Sequence, residues 1–245
     1  GLARVGGSPA GGTGLVEIGA DCKFQAHDLD VGGASPGTIT LLTASSELIV
    51  IGIAVVNAGG RIEGVGTFDG ARIRNPGGVI SPGLSPGTLT IKGDYEQGEG
   101  GTLVIEVAGL EAGQFDVLKV TGNATLAGQV DLQFIDGFVP QVGDNINFVV
   151  VDGTITGKLI GSTLLDIPSD AASDQSPAQA EIKWEVTPEG TCRLTVVDVT
   201  RPGAPERALP PECAAGLCGA GVLPMLPLTM VGVGCFRVFG RRSRR

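Results

Sequence analysis

The chain has 245 residues, of which 41 are Gly and 15 Pro, while only 4% are aromatic and 18% charged. That balance is far from an average enzyme, the 42% hydrophobic share is too high for a disordered chain, and glycine follows no three-residue period that would suggest collagen. The net charge of −9 is uneven: all 26 acidic side chains lie at or before Glu212, whereas five of the 17 basic ones lie at or beyond Arg237. Such an acidic body repels phosphate backbones, and no basic stripe with interleaved aromatics runs along it, so nucleic acid is excluded as a partner. Gly and Pro interrupt nearly every stretch of ten residues, which excludes a long helical bundle and predicts an all-β body.

The five cysteines (Cys22, Cys192, Cys213, Cys218 and Cys235) form no CxxC, and with His27 as the single histidine no zinc spacing can be assembled. No metal or other cofactor is expected. The chain starts at Gly1 without a basic start, an apolar run and a small-residue cleavage site. It therefore reads as the C-terminal piece of a longer precursor whose export signal lies upstream.

Residues 1–30 form an N-terminal edge. The body, residues 31–200, opens with Ser35-Pro36-Gly37-Thr38-Ile39-Thr40, echoed further on by Ser85-Pro86-Gly87-Thr88-Leu89-Thr90. Self-similarity of this kind predicts stacked units. In each copy Pro-Gly suits the centre of a type II turn, with a strand starting at the following Thr. Between the copies, glycines leave apolar residues in twos and threes, a pattern of short strands joined by tight bends.

From Thr88 onward the alternation is clear. Leu89 and Ile91, Leu103, Ile105 and Val107, Leu118 and Val120, and Val130, Leu132 and Phe134 each place aliphatic or aromatic groups on one face of a strand. Ile146 and Phe148 to Val151 read as a run buried on both faces. Pro168 to Gln179 reads as a long surface loop. The segment 181–200 alternates again around Trp184 and is placed to cap the end of the stack, covering a strand ladder that would otherwise join other chains.

Four prolines within 201–212 end the sheet and begin an extended linker. In the tail, 213–245, the run from Cys213 to Phe236 carries no charge and is followed by Arg237, Arg241, Arg242, Arg244 and Arg245. That run is long enough to cross ~30 Å of hydrocarbon as a helix at ~1.5 Å per residue, between about Cys218 and Phe239. The arginines would then stay cytoplasmic and the body would be exported.

Two resemblances bear on these patterns. From Pro210-Pro211-Glu212-Cys213 to Arg245, the tail resembles the C-terminal sorting signals of the PEP-CTERM and MYXO-CTERM type. It carries Cys213 where the PEP form has Pro, and Cys218-Gly219 is closer to the Cys-bearing variants. The resemblance implies a bacterial exported protein, anchored in the inner membrane and then displayed at the cell surface or released. It also implies a sorting or processing protease as partner, with Cys218, Gly219, Arg241, Arg242, Arg244 and Arg245 as the processing and sorting residues.

The second resemblance rests on Asn75 to Leu89, on Phe115-Asp116-Val117-Leu118-Lys119-Val120-Thr121-Gly122, and on Gly137-Phe138-Val139-Pro140 with Gly143-Asp144. These blocks are similar to the stalk of autotransporter-like passenger domains. That implies a right-handed parallel β-helix, or β-solenoid, a scaffold that carries adhesins, proteases and spacers alike. The alternative fold is an antiparallel β-sandwich, which strand centres recurring every ~14 residues would suit.

No catalytic pattern stands out along the body. His27, in Ala26-His27-Asp28-Leu29-Asp30, has no Gly-x-Ser-x-Gly elbow to serve, and reads as a surface histidine beside two aspartates. Asp28, Asp30, Asp69, Asp94, Asp116, Asp136, Asp144 and Asp152 are the carboxylates a calcium-dependent lyase would need. Most adjoin glycine and read as turn residues. Gly64 to Asp69 is a single, mis-spaced approach to a calcium-binding nonapeptide, no phosphate-binding glycine loop is present, and Asn123-Ala124-Thr125 has only sequon form.

The expectation is a non-enzymatic, exported structural or interaction protein. Its partners would be the membrane, a processing protease and extracellular matrix polysaccharide or other cell-surface components. The alternative is the non-catalytic C-terminal part of a carbohydrate-active β-helix enzyme.

Overall fold

The computed structural model describes residues 1–7, 12–161, 164–167 and 178–200, and these are all-β with no helix among them. In chain order the first strands are β1 (Leu2–Val5), β2 (Gly14–Ile18), β3 (Lys23–Ala26), β4 (Asp28–Val31), β5 (Gly37–Leu41), β6 (Glu47–Val56) and β7 (Gly60–Gly64). The middle of the body supplies β8 (Thr67–Asn75), β9 (Val79–Pro82), β10 (Thr88–Gln97), β11 (Thr102–Val107), β12 (Val117–Val120), β13 (Ala124–Leu126) and β14 (Gln129–Phe134). The last are β15 (Asn145–Val151), β16 (Ile155–Gly157), β17 (Ile160–Gly161), β18 (Leu164–Ile167), β19 (Ala178–Val186) and β20 (Thr191–Thr200).

These strands make two sheets. The larger runs β1-β4-β6-β8-β10-β12-β15-β20-β19-β18, with β3 beside β6, β13 beside β10 and β16 beside β13; the smaller runs β2-β5-β7-β9-β11-β14-β17. Every ladder from β1 to β17 is parallel, and only those joining β15, β20, β19 and β18 are antiparallel. From β4 onward the chain crosses from one sheet to the other and back, and each return lies alongside the previous pass. Crossing through the second sheet supplies the long connection that parallel neighbours require. This is not the hairpin pairing of an antiparallel sandwich. The step between neighbours lengthens along the chain: Glu47 pairs with Thr67, whereas Leu118 pairs with the more distant Val149.

The alternation seen in the sequence packs one core. Leu89, Ile91, Leu103, Ile105, Leu118 and Val120 are all fully buried and belong to a single apolar cluster extending from Val5 to Val196. Ile146 to Val151 alternates too, with Val150 half-buried. Phe148 and Val149 are consecutive and both inward because the register with β20 slips between Asn147 and Val149. The run is therefore not buried on both faces.

Glycine within strands explains the long spacing of strand centres. The long strands β6, β8 and β10 bend where Gly52, Gly70 and Gly93 lie, and the registers of β6 with β8 and of β8 with β10 shift at that point. Gly93 has φ +130°, and a Cβ there would stand 1.8 Å from the Gly70 carbonyl oxygen. In later passes the same span is divided into β12 and β13, then β15 and β16. Their junctions stack on this column, with the Gly122 amide donating to the Gly93 carbonyl at 3.0 Å and the Gly153 amide to the Gly122 carbonyl at 3.1 Å. Asp69-Gly70 is thus inside β8 and not a turn. Each strand continues past its glycine, because a residue without Cβ lets neighbouring backbones approach.

The Ser-Pro-Gly-Thr echo is not a structural repeat. Gly37 opens β5 in the smaller sheet, whereas the second copy leads into β10 in the larger one. Nor are these type II turns. Gly37 and Gly87 stay outside the positive-φ region, which is occupied instead by Gly83 (+88°) and Ser85 (+69°). Gly37 is required for close approach, since a Cβ would lie 1.8 Å from the Val5 carbonyl oxygen.

At the C-terminal end β20 lies antiparallel on β15, and β19 and β18 continue outward. Ile182, Leu194 and Val196 are buried, Val186 is exposed, and half-buried Trp184 meets Phe148 edge-on with ring centroids 6.5 Å apart. Ala178 and Gln179 belong to β19, while the rest of the expected 168–179 loop lies outside the described residues. The linker, the apolar span and the arginine cluster also lie outside them; among the described residues no helix is long and apolar enough to cross a membrane.

Candidate functional site

Two of the sequence blocks, Ser81 to Thr88 and Phe115 to Gly122, meet at one buried carboxylate. Strand alternation that sends Leu118 and Val120 inward also sends Asp116 inward, and it is fully buried. Its Oδ1 accepts the Gly87 amide at 2.8 Å and its Oδ2 the Glu106 amide at 2.9 Å, so one side chain ties the segment before β10 to the end of β11. A Cβ on Gly83 would stand 2.2 Å from Oδ1, which leaves glycine as the residue this corner accepts. The loop has two more tethers: the Gly83 amide donates to the Gly64 carbonyl at 2.8 Å, and the Ser85 hydroxyl to Glu106 Oε2 at 2.6 Å. Burial pushes the Asp116 carboxyl up to about 6, with the Glu106 charge adding to the rise and the two amide bonds opposing it.

Other inward polar groups also sit at strand ends. The Tyr95 hydroxyl donates to Gln97 Oε1 at 2.7 Å, and Gln97 Nε2 donates to the carbonyls of Ala127 at 2.9 Å and Gln129 at 3.0 Å. Burial drives the Tyr95 phenol upward. Asn75 Oδ1 accepts the Gly78 amide at 2.8 Å. At the glycine bends, carboxylate and amide side chains cap the next pass: Asp28 Oδ1 accepts the Ile53 amide at 3.1 Å, Asp94 Oδ1 the Asn123 amide at 2.8 Å, and Asn123 Oδ1 the Thr154 amide at 3.0 Å. The sequon asparagine is thereby engaged in backbone support.

The remaining residues singled out in the sequence are dispersed. His27 is exposed, with Nδ1 2.8 Å from Asp28 Oδ2; that bond, and then the Ile53 amide, holds the Asp28 carboxyl below its usual range. Asp30 lies 3.5 Å from Arg4, Asp69 is in register with Lys92, and Asp144 accepts the Gln141 amide at 2.8 Å. Asp136 and Asp152 lie in connections between strands, as expected of turn residues. Among the described residues no group of three His, Cys, Asp or Glu could hold a metal ion. Cys218, Gly219, Arg241, Arg242, Arg244 and Arg245 lie outside the described residues.

A cavity that the sequence did not signal opens beside β20. It has a volume of about 240 Å³ and is lined by Leu126, Phe148, Leu159, Trp184 and Cys192, with Lys158 and Glu185 as its charged groups. Burial pushes the Cys192 thiol up to about 11, so it is an inert apolar wall. No known protein family matches the chain, and no curated protein is found to be related to it.

Proposed function

We propose that this chain is an exported bacterial structural or interaction protein. Its body is a right-handed parallel β-solenoid, displayed from the membrane by a C-terminal sorting tail. The observation that carries the reading is the stepwise parallel pairing from β1 to β17, in which each pass through both sheets adds one layer to a single apolar core. Stacked layers of this kind contact only their neighbours and extend a scaffold in one dimension, which suits a spacer or a display surface. The acidic body keeps such a scaffold soluble and self-repelling. The tail supports the address: the uncharged run from Cys213 to Phe236, followed by five arginines, has the positive-inside pattern of a terminal anchor.

Expressing the full chain in a bacterium behind a cleavable export signal tests the address. The intact chain is expected in the membrane fraction, with its body open to protease added outside the inner membrane. Recovery of the intact chain as a freely soluble periplasmic protein would overturn the anchor. Neutral replacements at Arg241, Arg242, Arg244 and Arg245 are expected to scramble its orientation. Unchanged processing in Cys218→Ala would remove that cysteine's role alone. The solenoid is tested separately by an experimental structure of the body, where left-handed crossovers or hairpin pairing between β6 and β12 would overturn it.

A further inference from the structure

The C-terminal hairpin leaves the end of the core partly uncovered. In the ladder of β19 with β20, Ile182 pairs with Val196, Trp184 with Leu194 and Val186 with Cys192, and directly opposed residues share one face of a sheet. On that face Ile182, Leu194, Val196 and Cys192 are buried, yet Trp184 is only half-buried and Val186 is 47% exposed. The pairing explains why. β20 lies along β15, whereas β16, the continuation of the same pass, pairs among the described residues with β13 alone. Leu126 and Leu159, inward groups that a further strand would cover, therefore line a gap, the cavity of about 240 Å³ beside β20. We infer that this cavity is a binding site for a compact, uncharged aromatic molecule of one or two rings.

Lining, size and charge each bear on the ligand. Phe148 meets Trp184 edge-on with ring centroids 6.5 Å apart, and an added Cβ on Gly161 would stand 2.5 Å from Trp184 Cζ2, so the indole is held between the core and the backbone of β17. These two rings, with Leu126, Leu159 and the polarizable sulfur of Cys192, make walls that suit a flat ring. An apolar cavity of on the order of 150 Å³ stays dry and admits benzene, so a larger one has room for a second ring. The charged groups of the lining, Lys158 and Glu185, are exposed and opposite in sign, and the chain as a whole is acidic, so the site offers no net positive charge to recruit an anion. The stretch 168–177, between β18 and β19 in the chain, contains only Ser, Asp, Ala, Gln and Pro, and brings no aromatic or long aliphatic group that could fill the space. Val186 lines the cavity and is exposed, which places it at the mouth. A ligand site here goes beyond a scaffold role and stands whether or not the tail is an anchor.

The single tryptophan makes the test direct, since the isotope-labelled full chain gives one indole N–H resonance, that of Trp184. Titration with unlabelled indole, which is small, flat and uncharged, should shift this resonance saturably, with half-saturation at ~1 mM, while the Leu103 amide in the core stays in place. Val186→Phe and Cys192→Phe each put a ring into the cavity from the hairpin face and should weaken binding ~10-fold or more. Should Cys192→Phe fail to fold, Val186→Phe decides, because that position is exposed. Indole carboxylate, the same ring with a charge, should bind more weakly than indole. No shift up to the solubility limit of indole, a shift that never saturates, as partition into the apolar tail would give, or undiminished binding in Val186→Phe would overturn the site. Tighter binding of the carboxylate would overturn the uncharged class.

Discussion

The most direct perturbation of the fold is Gly93→Ala, because two separate costs can be assigned to it. Gly93 has φ +130°, a region side chains rarely adopt, which costs an L-residue about 1–3 kcal/mol. The new Cβ would also sit 1.8 Å from the Gly70 carbonyl oxygen, backbone that cannot swing aside, and overpacking of this kind costs about 1–3 kcal/mol more. The expected loss is about 2–6 kcal/mol. Two other glycines separate the contributions. Gly113 has φ +86° but nothing within 4 Å of an added Cβ, so Gly113→Ala should lose about 1–2 kcal/mol from backbone strain alone. Gly19 has neither constraint, and Gly19→Ala should be neutral or stabilising by about 0.4–1 kcal/mol through the unfolded chain. Urea unfolding followed by circular dichroism, and by fluorescence of the single tryptophan Trp184, reads all three. A Gly93→Ala protein within about 1 kcal/mol of Gly113→Ala would refute the claim that adjacent passes touch backbone to backbone at this bend.

Further expectations address buried groups. Asp116 titrates at about 6 in the fold against 3.8 ordinarily, so the folded state holds its proton more tightly. Its contribution to stability is therefore greatest below pH 4 and falls by up to about 3 kcal/mol as the pH rises through 6, so the urea midpoint of Asp116→Asn should lack that component between pH 4 and 7. Tyr95→Phe leaves Gln97 Oε1 without its donor and should cost about 1 kcal/mol by the same assay, whereas no loss would mean that the bond is not made. Cys22 is exposed and Cys192 buried, so a thiol reagent followed by peptide mapping should modify Cys22 first, and equal rates would contradict the packing beside Trp184.

Much of the core was legible because strand alternation depends only on the side-chain period. Every aliphatic position read as inward between Leu89 and Phe134 is buried. The glycines were harder to read. In a sequence a glycine looks like punctuation, and Asp69-Gly70 reads as a turn. In the fold Gly52, Gly70 and Gly93 lie within β6, β8 and β10 at register shifts, because what selects them is the backbone of the neighbouring strand, which is remote in sequence. The Ser-Pro-Gly-Thr echo misled for the same reason, since local turn chemistry carries no information about which sheet the next strand joins. Asp116 left a signal that could have been used: it shares the phase of Leu118 and Val120, so a charged residue stood at an inward position. Tyr95 and Gln97 share the phase of Ile91 in the same way. The cavity beside Trp184 left none, as its walls come from β13, the β16–β17 corner and the terminal hairpin, which only the pairing of β15 with β20 brings together.

The inward polar residues and the glycine column solve one problem from two sides. A chain that passes repeatedly between two sheets exposes backbone amides and carbonyls at each bend, and those that are buried need partners. Where two passes touch, glycine lets the amide of one reach the carbonyl of the next directly, as Gly122 does to Gly93 and Gly153 to Gly122. Where the corner is wider, a side chain fills the gap: Asp116 for the loop before β10, Gln97 for the bend before β14, Asn123 for the start of β16. Both devices occupy inward or corner positions and leave the outward ones free. Outward residues therefore answer to solvent and to each other, not to the core, and Lys23 with Glu47, Arg74 with Glu96, and Thr125 with Thr156 pair across adjacent strands. It follows that substitutions on this outer surface should leave the core packing intact, whereas a single methyl group at a glycine such as Gly93 disturbs two adjacent strands at once.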